Sequence, residues 1–293
     1  MSGPVVVGFD GSSASATAVW WAAQEAVDRH APLLLLHSWT TRPLDVPVAQ
    51  EALRKQSYGG RVLQRMEAEL LHRHGDLTLA TELVSASAAQ ALVERSDGAS
   101  MLVLGSRGRG SVAGFLLGSI SLQVLGRAHC PAVTVRADDP AVPVGPRRPA
   151  TADRQEVVVG VREAGPAVDP LLEFAFTTAD LRGARLRAVR ALPLTSWVTH
   201  PPTGRPDKGY VTDEQGRLAA AVAPWREKFP DTEVVYDVAR GSAAQVLPAA
   251  SIHALMTVLG RRRRPSARAW NLGPVTHAAL RHVACPVAVV PHD

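Results

Sequence analysis

The strongest constraint on the fold is that the second half of the chain repeats the first. The segment MLVLGSRGRGSVAGFLLGSISLQVLGRAHCPAVTV, which starts at Met101, aligns without a gap with MTVLGRRRRPSARAWNLGPVTHAALRHVACPVAVV, which starts at Met256. A constant shift of 155 residues pairs Gly105 with Gly260, Leu117 with Leu272, Gly118 with Gly273, Cys130 with Cys285 and Pro131 with Pro286. Self-similarity over this length indicates one folding unit that occurs twice.

The repeat extends upstream with small insertions, because Val5 to Gly8 returns as Val157 to Gly160 and Ser87 to Gln90 as Ser242 to Gln245. A chain of 293 residues is long enough for two domains that each bury a core. The stretch between the copies is rich in Pro, Asp and Arg and lacks apolar periodicity, as linkers do. We therefore predict domains at 1–137 and 156–293, joined by a linker at 138–155.

Short apolar runs alternate with amphipathic stretches in each half. In the first half, strands are predicted at Pro4 to Phe9, Leu33 to Trp39, Leu77 to Val84, Met101 to Gly105 and Ala132 to Arg136. Helices are predicted near Ser13 to Arg29, Glu51 to His74, Ala88 to Arg95 and Ser119 to Arg127. Strand and helix in alternation indicate an α/β fold, here two tandem doubly wound five-stranded parallel sheets. Such sheets bind ligands at the carboxyl ends of their strands, which directs attention to Asp10, Ser38 and Gly105.

One loop of the first copy has the composition of a phosphate site. Gly105-Ser106-Arg107-Gly108 follows a strand, and nine residues later Gly118-Ser119 opens a helix. Glycines admit positive φ and allow backbone N–H groups to approach an anion, and a helix start adds unpaired N–H groups. The loop is not a Walker loop, since no GKS or GKT follows, and its match of Gly105, Gly108 and Gly110 to GxGxxG is accidental.

Two features of this loop have structural alternatives. Ser119 is a good N-cap residue, and that role alone accounts for it. Arg107 and Arg109 either pair with phosphate oxygens or remain solvated surface residues.

The pattern G-x2-G-x9-G-S, preceded by a first strand that ends Gly8-Phe9-Asp10-Gly11-Ser12, resembles the universal stress protein family. The resemblance covers essentially the whole chain as two tandem domains and matches the ATP-binding branch of the family. It implies a Rossmann-like, adenine nucleotide alpha hydrolase-like fold, with ATP, with or without Mg²⁺, across the ends of the first and fourth strands.

The resemblance also implies a set of binding residues. Gly8 and Asp10 would face the adenosine, and Ser38 would line the base pocket. The phosphates would contact Gly105, Ser106, Arg107, Gly108, Arg109, Gly110, Gly118 and Ser119. Asp10 has an alternative as a simple turn or N-cap residue.

The second copy departs from this pattern at three places. Arg263 replaces the second glycine, Pro274 replaces the helix-opening serine, and Arg162 stands where the first copy has Asp10. Proline at a helix start also removes an N–H group. We expect the second domain to be a structural partner, to hold another anion through Arg162 and Arg261 to Arg264, or to bind nucleotide in an altered way.

The remaining features place the chain in a cellular context. Cys130 and Cys285 occupy equivalent positions, which favours free thiols in a reducing compartment. The chain shows no signal-peptide pattern and no run of about 18 apolar residues, so we expect a cytoplasmic protein without membrane segments. No HExxH or CxxC spacing suggests a metal site.

These observations favour an ATP-binding stress-response or regulatory protein. A slow ATP hydrolase is the enzymatic alternative, although there is no Walker lysine and no obvious Mg²⁺-binding aspartate cluster near the loop. The net charge of +5 and the arginine run suggest nucleic acid as a further polyanion, but aromatic residues among them are sparse. The resemblance further implies that the terminal strands pair between the domains in an intramolecular pseudo-dimer, which could itself dimerise.

Overall fold

The computed structural model describes residues 3–40, 49–107, 117–142, 154–163, 165–192, 207–263 and 272–293. The chain divides into two compact units, Met1–Ala152 and Asp153–Asp293. The border falls within the expected linker 138–155, of which residues 143–153 lie outside the described residues.

The first unit alternates five strands with four helices. Its strands are β1 (Val5–Gly8), β2 (Leu33–Thr40), β3 (Leu79–Ser87), β4 (Met101–Ser106) and β5 (Ala132–Arg136). Its helices are α1 (Ser13–Asp28), α2 (Ala49–Arg73), α3 (Ala88–Arg95) and α4 (Ser119–Arg127). The predicted bounds of α3, α4 and β5 are confirmed to the residue.

The strand order in the first unit is β3-β2-β1-β4-β5, and every neighbouring pair is parallel. From β1, the chain adds β2 and β3 on one side of the sheet. It then adds β4 and β5 on the other side of β1, so the winding direction reverses between β1 and β4. Crevices at such reversals lie outside the carboxyl ends of the strands. The fold thus brings the ends of β1 and β4 side by side.

The strands at the reversal form the centre of the core. Val5, Val6 and Val7 of β1 are buried, as are Met101 to Leu104 of β4. Strands that are apolar on both faces require cover from helices on both sides, which parallel sheets receive from their crossover helices. The core therefore fixes the two strand ends whose loops carry the candidate site.

The third strand begins two residues later than predicted and ends three residues later. Leu77 is not in the strand because its N–H donates to the His74 carbonyl oxygen in the turn after α2. At the other end, β3 continues to Ser87, whose hydroxyl accepts from the Gln90 N–H and caps α3. The cap, rather than the apolar pattern, sets this boundary.

The second unit repeats the plan. Its strands are β6 (Glu156–Gly160), β7 (Arg185–Leu192), β8 (Val234–Arg240), β9 (Ala254–Arg262) and β10 (Val287–His292). Its helices are α5 (Asp169–Leu181), α6 (Asp207–Lys228), α7 (Ala243–Ala250) and α8 (Pro274–His282). The order β8-β7-β6-β9-β10 is again wholly parallel. Two tandem five-stranded parallel sheets are thus confirmed.

Candidate functional site

The turn after β1 holds Asp10 at the crevice. Its carboxylate oxygen Oδ1 accepts from the backbone N–H of Ser12 at 2.9 Å and from the Ser15 hydroxyl at 2.6 Å. Ser12 caps α1 by accepting from the Ser15 N–H at 3.2 Å. Asp10 is therefore a turn residue, as one alternative predicted, and the same bonds fix its carboxylate at the strand end.

These hydrogen bonds keep Asp10 ionised. Burial on its own raises the pKa of this carboxyl group, but hydrogen bonds from the side chains of Ser12 and Ser15 and from the backbone outweigh that effect. The resulting pKa lies below the ordinary value of 3.8. The crevice therefore carries a negative charge at neutral pH, which accepts hydrogen bonds from hydroxyl groups.

Gly105 is required by packing. A Cβ atom at this position would lie 2.4 Å from the carbonyl oxygen of Ala14 and 2.7 Å from the Ser15 nitrogen. These are backbone atoms of α1, which cannot move aside as a flexible side chain does. Gly105 does not adopt positive φ. The glycine thus lets the end of β4 meet the first turn of α1, where Ser15 supports Asp10.

Gly8 has a similar but milder packing role. A Cβ atom there would lie 3.2 Å from Cδ1 of Leu92 on α3. Its equivalent Gly160 would meet Leu247 of α7 at 3.1 Å. Both copies therefore keep the glycine for helix packing, whether or not a ligand binds nearby.

Ser106 and Arg107 differ in where the structure places them. The Ser106 side chain is buried, and its hydroxyl donates to the Val135 carbonyl oxygen on β5. Arg107 follows the strand and is exposed. The predicted site residues Gly108, Arg109 and Gly110 lie outside the described residues.

The start of α4 faces outward without a side-chain cap. Gly118 occupies the N-cap position with φ −61° and ψ 154°, and no side chain among the described residues caps the first turn. The prediction that Ser119 is the N-cap is therefore wrong: the extended backbone of Gly118 takes that position and leaves Ser119 as the first helical residue. The exposed Ser119 and the uncapped N–H groups of the first turn are donors available to an anion.

Gly118 differs from Gly105 because none of the described residues packs against it in a way that requires glycine. Among the described residues, no atom lies within 4 Å of a Cβ built at this position, and its φ suits any residue. This space lies beside the helix start of α4. Within the part of the chain that the structure describes, the site therefore has room at Gly118 for an external group.

Ser38 is tied to the main chain at the end of β2. Its hydroxyl lies 2.5 Å from the Ala86 carbonyl oxygen and 2.8 Å from the Thr40 carbonyl oxygen, where the pairing with β3 is irregular. A hydroxyl donates one hydrogen, so these carbonyls compete for it. Ser38 nevertheless lines an open pocket of about 260 Å³, bordered by His37, Ser38, Trp39, Arg54, Lys55 and Tyr58.

Sequence patterns do not reveal Ser15, Tyr58, Arg54 and Lys55 as residues of the site. Ser12 and Ser15 follow Asp10 at the spacing of a helix start, a signal that could have marked them as partners of the aspartate. Tyr58 reaches the site from α2, and its hydroxyl oxygen would lie 3.1 Å from a Cβ on Gly11. Nothing in the pattern of α2 distinguishes Tyr58 from other exposed residues of that helix.

The corresponding edge of the second unit is crossed by ion pairs. Arg162 is exposed and lies 3.5 Å from Glu163, which also pairs with Arg262 at 2.5 Å. Arg263 lies 3.8 Å from Asp293. Arg264 lies outside the described residues. Carboxylates thus accompany Arg162, Arg262 and Arg263, whereas the half-buried Arg261 lies near the charge of Arg263, and burial and that charge lower its pKa.

The helix start of the second unit confirms its predicted departure. Pro274 is the first residue of α8, and Gly273 is the N-cap. Gly273 resembles Gly118, since no atom of the described residues lies within 4 Å of its Cβ position. The proline leaves this helix start with one N–H group fewer than α4 has.

Neither cysteine forms a disulfide. Cys130 and Cys285 are buried thiols, and burial raises the pKa of the Cys130 thiol to about 12. Within the described residues, no three His, Cys, Asp or Glu side chains gather as a metal site. The same residues include no helix long and apolar enough to cross a membrane.

Comparison with known proteins identifies relatives along the whole chain. A family model described as the universal stress protein family matches residues 1–136 and 154–291. A universal stress protein of Mycobacterium tuberculosis is 32% identical over 294 residues, which cover 97% of this chain and 96% of the relative. One from Mycolicibacterium smegmatis is 31% identical over 296 residues, covering 98% and 96%.

A solved structure shares the fold. The crystal structure of a universal stress protein from Archaeoglobus fulgidus aligns with a TM-score of 0.72 and 16% identity, covering 100% of both chains. At this identity the likeness concerns the fold alone.

Proposed function

The chain belongs to the universal stress protein family, and from that premise we propose that its first unit binds an adenine nucleotide, ATP in particular, and acts in a nucleotide-dependent stress response. The observation that carries this proposal is the open helix start at Gly118 on the same sheet edge as the Asp10 carboxylate. One end of the crevice offers N–H donors, and the other offers an acceptor.

The two ends match the two ends of a nucleotide. The N–H groups at Gly118 and Ser119 suit phosphate oxygens, because a helix start combines donors with a positive dipole end. The Asp10 carboxylate suits the ribose hydroxyls, which donate hydrogen bonds. Arg107 adds a cation beside the phosphate end, and the family resemblance extends that end to Gly108, Arg109 and Gly110.

The second unit is proposed as a structural partner without the same site. Arg162 offers donors where Asp10 offers acceptors, and Pro274 removes an N–H group from the helix start. The ion pairs of Arg262 with Glu163 and of Arg263 with Asp293 also weaken the case for a polyanion such as nucleic acid.

The residues around Asp10 suit a protein that binds ATP better than they suit an enzyme that hydrolyses it rapidly. Asp10 is held by Ser12 and Ser15 as an ionised acceptor, and a carboxylate with a lowered pKa is a poor general base. Slow hydrolysis remains the alternative, and Mg²⁺ would enter with the phosphates.

The proposal also covers the cellular compartment and the oligomeric state of the protein. Two buried thiols accord with a reducing, cytoplasmic environment. A pseudo-dimer within one chain and dimerisation of the chain are both proposed from the family resemblance, and the mass of the protein in solution tests the dimerisation.

The experiment is mass analysis of nucleotide released from the purified protein, together with ATP titration of the wild type. Gly118→Ala should weaken ATP binding without loss of stability, because its methyl group enters space left for the ligand. Gly273→Ala is the matched control in the second unit and should bind as the wild type does. A protein that carries no nucleotide and shows no micromolar ATP binding contradicts the proposal.

A further inference from the structure

Helix α2 has two parts that differ in packing. From Gly59 onwards it packs on the sheet, and its buried side chains there are Leu63, Met66 and Leu70. The side chains at 53–58 are all exposed, and that of Tyr58 is 50% exposed. These six residues span more than one helical turn, so every face of this segment, the arm of α2, is exposed. Helices in proteins are stabilised mainly by packing of one apolar face, so the arm is held less firmly than the rest of α2.

Two glycines, Gly59 and Gly60, separate the arm from the packed part of α2. A Cβ atom at Gly59 would lie 2.6 Å from Cδ2 of His37 and 2.8 Å from Cδ1 of Leu83, so this glycine lets α2 rest on β2 and β3. Among the described residues, nothing lies within 4 Å of a Cβ at Gly60, so packing does not account for this second glycine. Glycine weakens a helix interior relative to alanine, and pairs of small residues are places where helices bend. The helix is thus easiest to bend at the point where it touches the sheet.

Tyr58 is the last residue of the arm and faces the candidate site. Its side chain lines the open pocket at the end of β2, together with His37 and Trp39. Its hydroxyl oxygen would lie 3.1 Å from a Cβ atom on Gly11, the residue after Asp10. The side chain therefore spans the gap between α2 and the turn that holds the Asp10 carboxylate.

The strand order places this pocket on the side of the crevice where the base of a nucleotide would lie. In the order β2-β1-β4, the pocket at β2 and the proposed phosphate end at β4 and α4 lie on opposite sides of β1. Asp10, at the end of β1, is the acceptor proposed for the ribose hydroxyls, so the base extends towards β2. The pocket volume of about 260 Å³ is slightly below the usual range for sites that enclose a whole small ligand. It suits one part of a nucleotide, namely the base.

An aromatic ring at the edge of this pocket suits a base in particular. Bases stack on aromatic side chains through the π face that every base has. The ring of a tyrosine is largely apolar, and Tyr58 is half exposed, so a stacked base would remove apolar area from water. A bound base would thereby give the arm the packing partner that its exposed side chains lack.

The second unit ties its equivalent helix to the sheet in another way. The strand pairings of the two units align His37 of β2 with Arg190 of β7. Where His37 meets Gly59, Arg190 lies 2.6 Å from the buried carboxylate of Glu214 on α6. Arg217 pairs with the same carboxylate. An ion pair thus anchors α6 at the level where α2 has a glycine, in the unit for which no nucleotide site is proposed.

We propose that the arm at 53–58 is a lid over the base end of the nucleotide site, that Gly59 and Gly60 are its hinge, and that Tyr58 is the residue of the lid that contacts the base. In the structure α2 is continuous and the pocket is open. When a nucleotide binds, a bend at the hinge brings the ring of Tyr58 onto the base and shields both from water. This inference rests on the proposed nucleotide site at Asp10 and Gly118.

Hydrogen exchange of the full chain, measured by mass spectrometry with and without ATP, tests the closure. In the free protein the backbone amides at 53–58 should exchange faster than those at 63–70. Saturating ATP should slow exchange at 53–58 several-fold, and the start of α6 at 207–213 is the internal control that should not respond. ATP binding that leaves exchange at 53–58 unchanged overturns the lid.

Two glycine variants test the hinge. Gly60→Ala should raise the midpoint of urea denaturation, because alanine favours the helix, and should weaken ATP binding up to about fivefold, because it favours the straight, open form. Gly216→Ala is the matched control, since Gly216 lies within α6 and no atom of the described residues is within 4 Å of its Cβ position. It should stabilise the protein and leave ATP affinity unchanged. Gly60→Ala that binds ATP as tightly as the wild type overturns the hinge.

Two variants of Tyr58 test its contact with the base. Tyr58→Ala should weaken ATP binding about tenfold and remove the effect of ATP on exchange at 53–58, whereas Tyr58→Phe keeps the ring and should behave as the wild type does. Wild-type affinity in Tyr58→Ala overturns the role of the ring but leaves the proposed nucleotide site standing. Absence of ATP binding in the wild type overturns the proposed function and this inference together.

Discussion

The hydroxyl group of Ser15 donates a hydrogen bond of 2.6 Å to the carboxylate of Asp10, across the start of α1. The backbone nitrogen of Ser15 is also one of the atoms against which Gly105 packs. Ser15 of α1 thus contacts both the Asp10 carboxylate at the end of β1 and Gly105 at the end of β4. This relationship makes the geometry of the site depend on residues that need not touch a ligand.

The first prediction concerns pH. Because the folded pKa of Asp10 is lower than its unfolded pKa, the ionised carboxylate stabilises the fold above the unfolded pKa. That contribution is lost as pH falls through the folded pKa. The free energy of unfolding of the wild type should exceed that of Asp10→Asn at neutral pH, and the difference should shrink below about pH 4. Urea denaturation between pH 3 and pH 7 measures it, and a difference that stays constant over this range argues against the hydrogen-bonded carboxylate.

The second prediction separates packing glycines from ligand-facing ones. Gly105→Ala should lower the free energy of unfolding by about 1 to 3 kcal/mol, because its Cβ meets the backbone of Ala14. Gly118→Ala should change it by less than about 0.5 kcal/mol. Gly260→Ala is an informative control, since its Cβ meets the ring of His292, a side chain that can move. A Gly105→Ala protein as stable as the wild type contradicts the packing role.

The third prediction concerns Ser15 as a positioning residue. Ser15→Ala removes the hydroxyl bond to Asp10 and should cost about 1 kcal/mol of stability. It should also weaken ATP binding several-fold, because the carboxylate loses its fixed orientation. Thr17→Ala is the control on the same helix, as its hydroxyl bonds to the Ser13 and Ala137 carbonyl oxygens and does not contact Asp10. Equal ATP affinities for the wild type and Ser15→Ala would limit Ser15 to a structural role.

Much of the fold follows from the sequence because its signals are local and occur twice. The amphipathic patterns of Ala88 to Arg95 and Ser119 to Arg127 predict the bounds of α3 and α4, although Gly118 and not Ser119 is the N-cap of α4. The boundary at Leu77 was missed because a single hydrogen bond to His74 closes the turn after α2. Apolar periodicity carries no information on such a bond.

The candidate site could be predicted less completely because it depends on contacts between distant elements. Gly105 belongs to a motif that suggests a phosphate loop, yet the approach of α1 explains it, and no sequence pattern reveals that approach. Asp10 was found through the strand end and the family resemblance. Tyr58 and Arg54 were not found, since an amphipathic helix shows which residues are exposed but not which of them reach the sheet edge.

We expect the protein to have one nucleotide site per chain, located in the first unit, and ATP titration with measured stoichiometry is the decisive experiment. One ATP should bind per chain in the wild type and in Gly273→Ala, and binding should be much weaker in Gly118→Ala. Two ATP molecules per chain, or an effect of Gly273→Ala equal to that of Gly118→Ala, would contradict it.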